Sequence, residues 1–270
     1  MDAESAAGIF KAAAAEHYDR HVGRYTRELA RSLMAHAGVR PGQSALDVGC
    51  GPGALATELA AILGPDSVCA VDPSPSFVEA CRQRLPGMDV RVAVAEQLPF
   101  DDDSFDHSLA QLVVNFMANA IAGVSDMARV TRPGGRVSAA TWDYADGMTF
   151  LRHFWDAALA VDPAAAVVDE GLTMRYCTPD ELGTLLSDSG LTDVRVSSAQ
   201  PSAMYENFAD LWTPIEGSIG PSGVYVASLP DDRRAALRIE FQRLLGIGDA
   251  PFSLSARAWI ASGVVPRPPA

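Results

Sequence analysis

Residues 46–53, LDVGCGPG, set three glycines at alternate positions directly after a short apolar run. Glycine allows left-handed turns and close approach of another group to the backbone, at an entropic cost. SALDV (44–48) reads as a strand and residues 54–63 as a helix, so the glycines form a strand–turn–helix junction. Such a junction aims backbone amides and a helix N-terminus at whatever sits on the turn. The same alternation continues to residue 142. SVCAV (67–71) is a second strand, and 75–85 a helix opened by Ser74 and Pro75. DVRVAVA (89–95) is a third strand, 105–114 contains a fourth, and RPGGRVSAATW (132–142) is a turn followed by a fifth. Strands separated by helical stretches of about 10 residues imply βαβ units and a parallel sheet covered on both faces.

The flanking segments read differently. Residues 8–38 look helical, with Tyr25, Leu29, Leu33 and Ala37 on one face. Beyond Trp142, a helix is expected over 178–189 with Thr178 as its cap and Gly190 as its stop. A sixth strand falls at 193–199, a helix near 231–245 and a last strand at 254–263. The stretches 143–177 and 200–252 exceed ordinary α/β connections. Residues 143–252 hold 11 of the 20 Phe, Trp and Tyr residues, so they read either as a lid over an apolar substrate or as a small core of their own. The expected organisation is lid helices in 1–40, a cofactor-binding core in 41–142, and lid insertions with the last core elements in 143–270.

Composition narrows the class of function. A net charge of −13 over 270 residues disfavours a grip on nucleic-acid phosphates, which needs a basic face. The opening MDAESAAGIF lacks the basic region and apolar core of a signal peptide, and no run approaches the roughly 18 to 20 apolar residues of a membrane span. The four cysteines form no C-x-x-C pair, so neither a metal site nor a redox dithiol is expected. A cytoplasmic protein with free thiols follows as the expectation.

GCGPGA (49–54) satisfies the dinucleotide pattern, and Asp72 lies 23 positions after Gly49, the distance for a ribose hydroxyl ligand. NAD and S-adenosylmethionine compete for this pattern. Asp47 separates them: a carboxylate beside a doubly negative pyrophosphate is unfavourable, whereas one near an ammonium and a sulfonium is favourable. Pro52 also removes one amide that would cradle phosphate.

On these residues the chain resembles the class I S-adenosylmethionine-dependent methyltransferases. LDVGCGPG is similar to their first motif and VDPS (71–74) to the second. AEQLPFDDDSFD (95–106) resembles the adenine-contact segment, and MARVTRPGGRV (127–137) the helix and turn before strand five. The resemblance covers about residues 40 to 142 and points to small-molecule enzymes similar to the quinone-biosynthetic type. It implies a Rossmann-like, seven-stranded, mostly parallel sheet ordered 3-2-1-4-5-7-6 with strand seven antiparallel. It departs at Val94, where many relatives carry an Asp that meets the adenine amino group. The amides of Ala95 and Glu96, or the Glu96 side chain, are the substitutes.

The resemblance implies a set of cofactor contacts. Gly49, Gly51 and Gly53 would offer backbone, Asp72 would hold the ribose, and Asp47 would face the methionine amino group directly or through water. Gln111 would lie near the methionine portion, Pro73 and Leu98 against the adenine, and Tyr18 or Arg24 over the methionine carboxylate. Asp143 and His153 are the candidates for a general base, although an activated sulfonium does not require one. Acceleration can come from holding a nucleophile about 3 to 3.5 Å from the methyl in a dry pocket. The expected activity is in-line methyl transfer to a small, partly apolar acceptor, leaving S-adenosylhomocysteine. At least two of Trp155, Tyr176, Tyr205, Phe208 and Trp212 are expected on the wall of an enclosed acceptor pocket. The alternatives are an NAD(P)-dependent oxidoreductase and a non-catalytic module that kept the cofactor fold. Oligomeric state is not readable from the sequence.

Overall fold

The computed structural model describes residues 23–217, 220–248 and 250–267. Its centre is a seven-stranded sheet. The strands in chain order are β1 (Ala45–Val48), β2 (Val68–Asp72), β3 (Asp89–Val92), β4 (Phe105–Gln111), β5 (Thr131–Trp142) and β6 (Thr192–Ala199), joined by β9 (Ala258–Val264). Their spatial order is β3-β2-β1-β4-β5-β9-β6, with β9 antiparallel to both neighbours and β1 to β5 mutually parallel. This is the expected order. Two further strands, β7 (Ser202–Tyr205) and β8 (Phe252–Ser255), pair with each other outside the sheet, so the seventh core strand is the ninth in sequence.

Alternation along the strands sends side chains to two cores. Leu109, Ala140 and Ile260 join the core beneath helices α1 (Gly23–Ala37), α2 (Ala54–Leu63) and α3 (Pro75–Arg84). Their neighbours Ala110, Ala139 and Ala261 join the opposite core, under α4 (Ala120–Val130) and α7 (Pro179–Asp188). Both faces of the sheet are therefore covered, as the apolar strands require. Thr178 caps α7 by accepting the Glu181 amide at 3.2 Å, in agreement with its position in the sequence.

The expected single strand over 254–263 is instead two. The chain turns at Ala256–Arg257, where the Arg257 amide donates to Gly147 O and its carbonyl accepts from Asp143 N. The Arg257 guanidinium binds the carboxylates of Asp143 and Asp146. These partners lie more than 100 positions earlier, so the break is a tertiary effect.

The two long insertions carry α5 (Thr149–Val161), α6 (Glu170–Thr173), α8 (Phe208–Glu216), α9 (Gly220–Ser228) and α10 (Asp231–Leu245). Their aromatics pack on one another. Phe241 meets Phe154 at 5.8 Å, Phe208 at 5.6 Å and Trp212 at 6.3 Å between centroids, and Trp155 sits edge-on to Phe154. Trp155, Tyr205, Phe208 and Trp212 are all buried in this cluster. A hydrogen bond between the Tyr25 and Tyr205 hydroxyls ties α1 to the β7–β8 strand pair. Phe241→Ala is expected to lower the unfolding free energy by about 3 to 5 kcal/mol in a urea titration, the cost of emptying a buried phenylalanine site. A change below about 1 kcal/mol would show that the insertions do not depend on this cluster.

Candidate functional site

A cleft of about 880 Å³, counting solvent at its mouth, opens at the carboxyl ends of β1, β2 and β4. Open α/β sheets place ligands at this point, where the strand order reverses between β1 and β4. Its floor is the glycine turn. The Gly49 and Cys50 amides both donate to Val71 O, at 2.8 and 2.9 Å, and the Gly51 amide donates to Asp72 Oδ2 at 2.9 Å. The turn therefore hangs from the end of β2.

The three glycines have different physical reasons. All have positive φ, which side chains disfavour. A Cβ on Gly49 would meet the Val113 side chain at 2.4 Å, and one on Gly53 would meet Cys81 Sγ at 2.8 Å. Those two positions are bare because protein packs against them. A Cβ on Gly51 would meet nothing within 4 Å. Gly49 and Gly51 line the cleft and Gly53 does not.

Asp72 lines the cleft and is 6% exposed. Burial pushes its carboxyl up to about 6, against the pull of the Ser74 and Gly51 amides that it accepts. Asp47 does not line the cleft. It is buried beneath the turn, with neither carboxylate oxygen in a hydrogen bond among the described residues. Burial raises its carboxyl well above the usual range, with Cys81 adding to the rise; the Ala56 amide counters it without meeting hydrogen-bond geometry.

Pro73, Ala95, Glu96 and Gln111 also line the cleft. Glu96 Oε1 accepts the Asn119 amide at 3.0 Å, at the start of α4, so one of its oxygens is committed to the fold. Leu98 is off the cleft: it is buried in the core, and its amide donates to Asp126. Arg24 is off it too, in an ion pair with Asp210, with its guanidinium over the Tyr205 ring. Tyr18 lies outside the described residues.

Neither candidate base reaches the cleft. Asp143 is buried, its carboxylate bound by Arg257 Nε at 2.7 Å and by the Asp146 amide at 3.1 Å. His153 Nδ1 lies 2.8 Å from the Thr149 carbonyl within α5. None of Trp155, Tyr176, Tyr205, Phe208 and Trp212 lines the cleft either. Trp155, Phe208 and Trp212 pack instead in the core of the insertions, with Phe154 and Phe241.

The sequence reading missed Phe77, Leu112, Phe116 and Met117, all on the cleft wall. For Leu112, Phe116 and Met117 the signal was position alone, in the turn that leaves the end of β4. Leu112 has φ of 64°, a left-handed conformation that costs a side-chain-bearing residue about 1 kcal/mol. Its amide, donating to Ala140 O at 2.7 Å, holds it there.

The lining fits a cationic nucleoside better than a dinucleotide. Its only titratable side chains among the described residues are Asp72 and Glu96, both acidic, and no cation is present to meet a pyrophosphate. Asp72 retains lone pairs for ribose hydroxyls, Gly51 leaves its backbone open, and the apolar wall suits a purine.

Fold and cleft together define an α/β protein built to hold a nucleoside cofactor at the strand-order switch. Residues 46–139 match the family model described as "Methyltransferase domain". The demethylmenaquinone methyltransferase of Beutenbergia cavernae is 37% identical over 170 residues, which is 59% of this chain and 70% of that protein. A probable phthiotriol/phenolphthiotriol dimycocerosates methyltransferase of Mycobacterium ulcerans is 35% identical over 144 residues, 52% of this chain and 51% of that one. Among solved structures, the YcgJ protein of Bacillus subtilis superposes with a TM-score of 0.57 at 17% identity, covering 89% of this chain and 99% of its own. The chain belongs to the class I S-adenosylmethionine-dependent methyltransferases. It spans about half the length of the first curated relatives it matches.

Gly51→Val is expected to abolish the rise in melting temperature that S-adenosylhomocysteine gives the native protein, because its side chain would fill open space on the cleft wall. Retained stabilisation by the ligand would show that the cofactor does not approach this backbone.

Proposed function

We propose that the protein transfers a methyl group from S-adenosylmethionine to a small, partly apolar acceptor. The observation that carries this reading is the cleft itself: an open Gly51 and a buried Asp72 carboxylate side by side at the strand-order switch, in a lining without cations. When bound, the cofactor supplies a methyl already activated on a sulfonium. The chain's part is to orient and enclose. Asp72 would hold the ribose hydroxyls, Gly49 and Gly51 would offer backbone, and the segment at Ala95–Glu96 would offer amides to the purine edge. Pro73 would pack on the purine face. Asp47, buried beneath the turn, would not touch the cofactor.

Among the described residues the titratable side chains on the cleft are Asp72 and Glu96, both at the nucleoside end, which suits displacement at a sulfonium, where positioning and dehydration carry the rate. The relatives named above are, by their names, methyltransferases of demethylmenaquinone and of phthiotriol/phenolphthiotriol dimycocerosates, and this supports an acceptor with apolar bulk. The net charge of −13 argues against a nucleic-acid acceptor. Four free thiols, two of them buried beside the glycine turn, favour action in a reducing cytoplasm. No helix among the described residues is long and apolar enough to cross a membrane.

The test is a thermal-shift comparison of S-adenosylmethionine, S-adenosylhomocysteine and NAD, followed by transfer of labelled methyl from the first to a metabolite extract. Stabilisation by NAD alone would overturn the reading. Asp72→Ala should weaken S-adenosylhomocysteine binding by about 1.5 to 3 kcal/mol in calorimetry, the scale of losing charge-assisted hydrogen bonds. Binding should also depend on pH. Ribose hydroxyls favour the ionised carboxylate, so affinity is fully present above the raised value of about 6 and falls as pH drops through it. Asp72→Asn should flatten that dependence; an unchanged profile would remove Asp72 from the ribose.

A further inference from the structure

Cys50 sits inside the glycine turn, between the cleft-lining Gly49 and Gly51. Its amide donates to Val71 O at 2.9 Å and its carbonyl accepts the Gly53 amide at 2.9 Å, so its backbone is held on both sides. Cys81 stands on α3, fully buried, with its Sγ seated against Gly53, only 2.8 Å from the point a Cβ there would occupy. The two thiols interact directly. Contact with Cys81, together with burial, pushes the Cys50 thiol up. Contact with Cys50 brings the Cys81 thiol down, and Arg84 adds to the fall. The other two cysteines have different partners: Cys69 Sγ lies 3.9 Å from Asp89 Oδ2, and Cys177 Sγ donates to Arg175 O at 3.0 Å. The proposed methyl transfer uses neither thiol of the pair.

Two neighbouring thiols are a two-electron couple. A disulfide requires its sulfurs about 2.05 Å apart, so a pair in non-bonded contact has to close further before it bonds. The turn is the part that yields, because Cys81 is held inside a buried helix face, whereas Cys50 lies in a four-residue turn with a glycine on either side. A shift of Cys50 carries Gly51 with it, away from the Asp72 oxygen that accepts its amide. Those are the two residues on which the cofactor reading rests. Cys50 keeps 6% of its surface exposed and Cys81 none, so an oxidant arriving through the cleft meets Cys50 first.

Resting on the methyltransferase reading for its consequence, we propose that Cys50 and Cys81 are a site of reversible oxidation: a peroxide closes them into a disulfide, and the closed form holds the cofactor more weakly. In the first step the Cys50 sulfur attacks one peroxide oxygen and the O–O bond breaks. The second oxygen leaves as water with the thiol proton, and Cys50 becomes a sulfenic acid. The Cys81 sulfur then attacks Cys50 Sγ, the S–S bond forms, and the sulfenic hydroxyl leaves as a second water with the Cys81 proton. Two electrons pass from the thiols to the peroxide. Two molecules of a cellular thiol such as glutathione reopen the bond by exchange and leave as their own disulfide. Binding and closure oppose each other in both directions, so a seated cofactor protects the pair.

The experiment treats the reduced full chain with hydrogen peroxide, blocks the remaining thiols with N-ethylmaleimide and reads the peptides by mass spectrometry. The expected product is a peptide pair joined through Cys50 and Cys81, lighter by two hydrogens and parted by dithiothreitol. Affinity for S-adenosylhomocysteine, measured by calorimetry once the peroxide is removed, should fall about tenfold, the scale of one lost hydrogen bond, and return with dithiothreitol. Saturating S-adenosylhomocysteine during the treatment should slow the crosslink. Cys50→Ala and Cys81→Ala, whatever their own affinities, should bind equally before and after peroxide. Cys69, the more exposed thiol, gauges the dose. Modification of Cys69 with Cys50 and Cys81 both still free would overturn the proposal, as would a crosslink that leaves the affinity unchanged. A peroxide-dependent loss of affinity that persists in Cys81→Ala would overturn it as well. Failure of the reduced protein to bind S-adenosylhomocysteine at all would instead overturn the methyltransferase reading.

Discussion

The site depends on the way the glycine turn is hung from β2. Two consecutive amides converge on Val71 O, and a third on the Asp72 carboxylate. That arrangement leaves β1 and β2 with a shared end and fixes Asp72 in the same stroke. It also explains why the turn tolerates no side chain at Gly49 or Gly53. Val113 presses on it from the exit of β4, and Cys81 from α3. The cofactor loop is thus clamped from three directions before any ligand arrives, which is the preorganisation that tight and oriented binding requires.

The insertions play a different part from the one their composition suggests. Their aromatic residues are spent on a private core that joins α5, α8 and α10, and the Tyr25–Tyr205 contact extends that core to α1. Arg257 adds an electrostatic seam, bridging Asp143 and Asp146 to the break between β8 and β9. The cleft is bordered instead by short turns of the sheet itself, with Phe116 and Met117 as its apolar side.

Much of this was legible because local rules agree with the fold. The apolar strands β1 and β2 run directly into Gly49 and Pro73, and α7 begins at a threonine cap whose Glu181 partner is three residues on. The glycine turn and Asp72 could be placed from spacing alone. What failed to show depends on partners distant in sequence. Asp143 reads as a free acid until Arg257, 114 positions on, is seen to bind it. Trp155 and Trp212 advertise burial, but their sequence does not say against what. Leu98 reads as a cleft residue from its place in a motif, yet it packs under α4, where its amide meets Asp126. Gln111 could be placed near the site, but not its bond to the Thr26 carbonyl, 85 residues away.

The position of β9 has a consequence for how the chain is made. It lies between β5 and β6, yet it is later in sequence than both. On the ribosome, β1 to β5 can assemble as soon as they emerge, in an order that needs nothing further along. The residues of β6 have no edge to join until β9 begins to arrive 59 positions after Ala199, because among the described residues β9 alone pairs with them. Until then the outer edge of β5 stands open, a strand rich in small apolar side chains. Synthesis at about 5 to 20 residues per second makes that interval several seconds long. The half of the sheet that holds the cleft can therefore be complete while the other half is still waiting for its last strand.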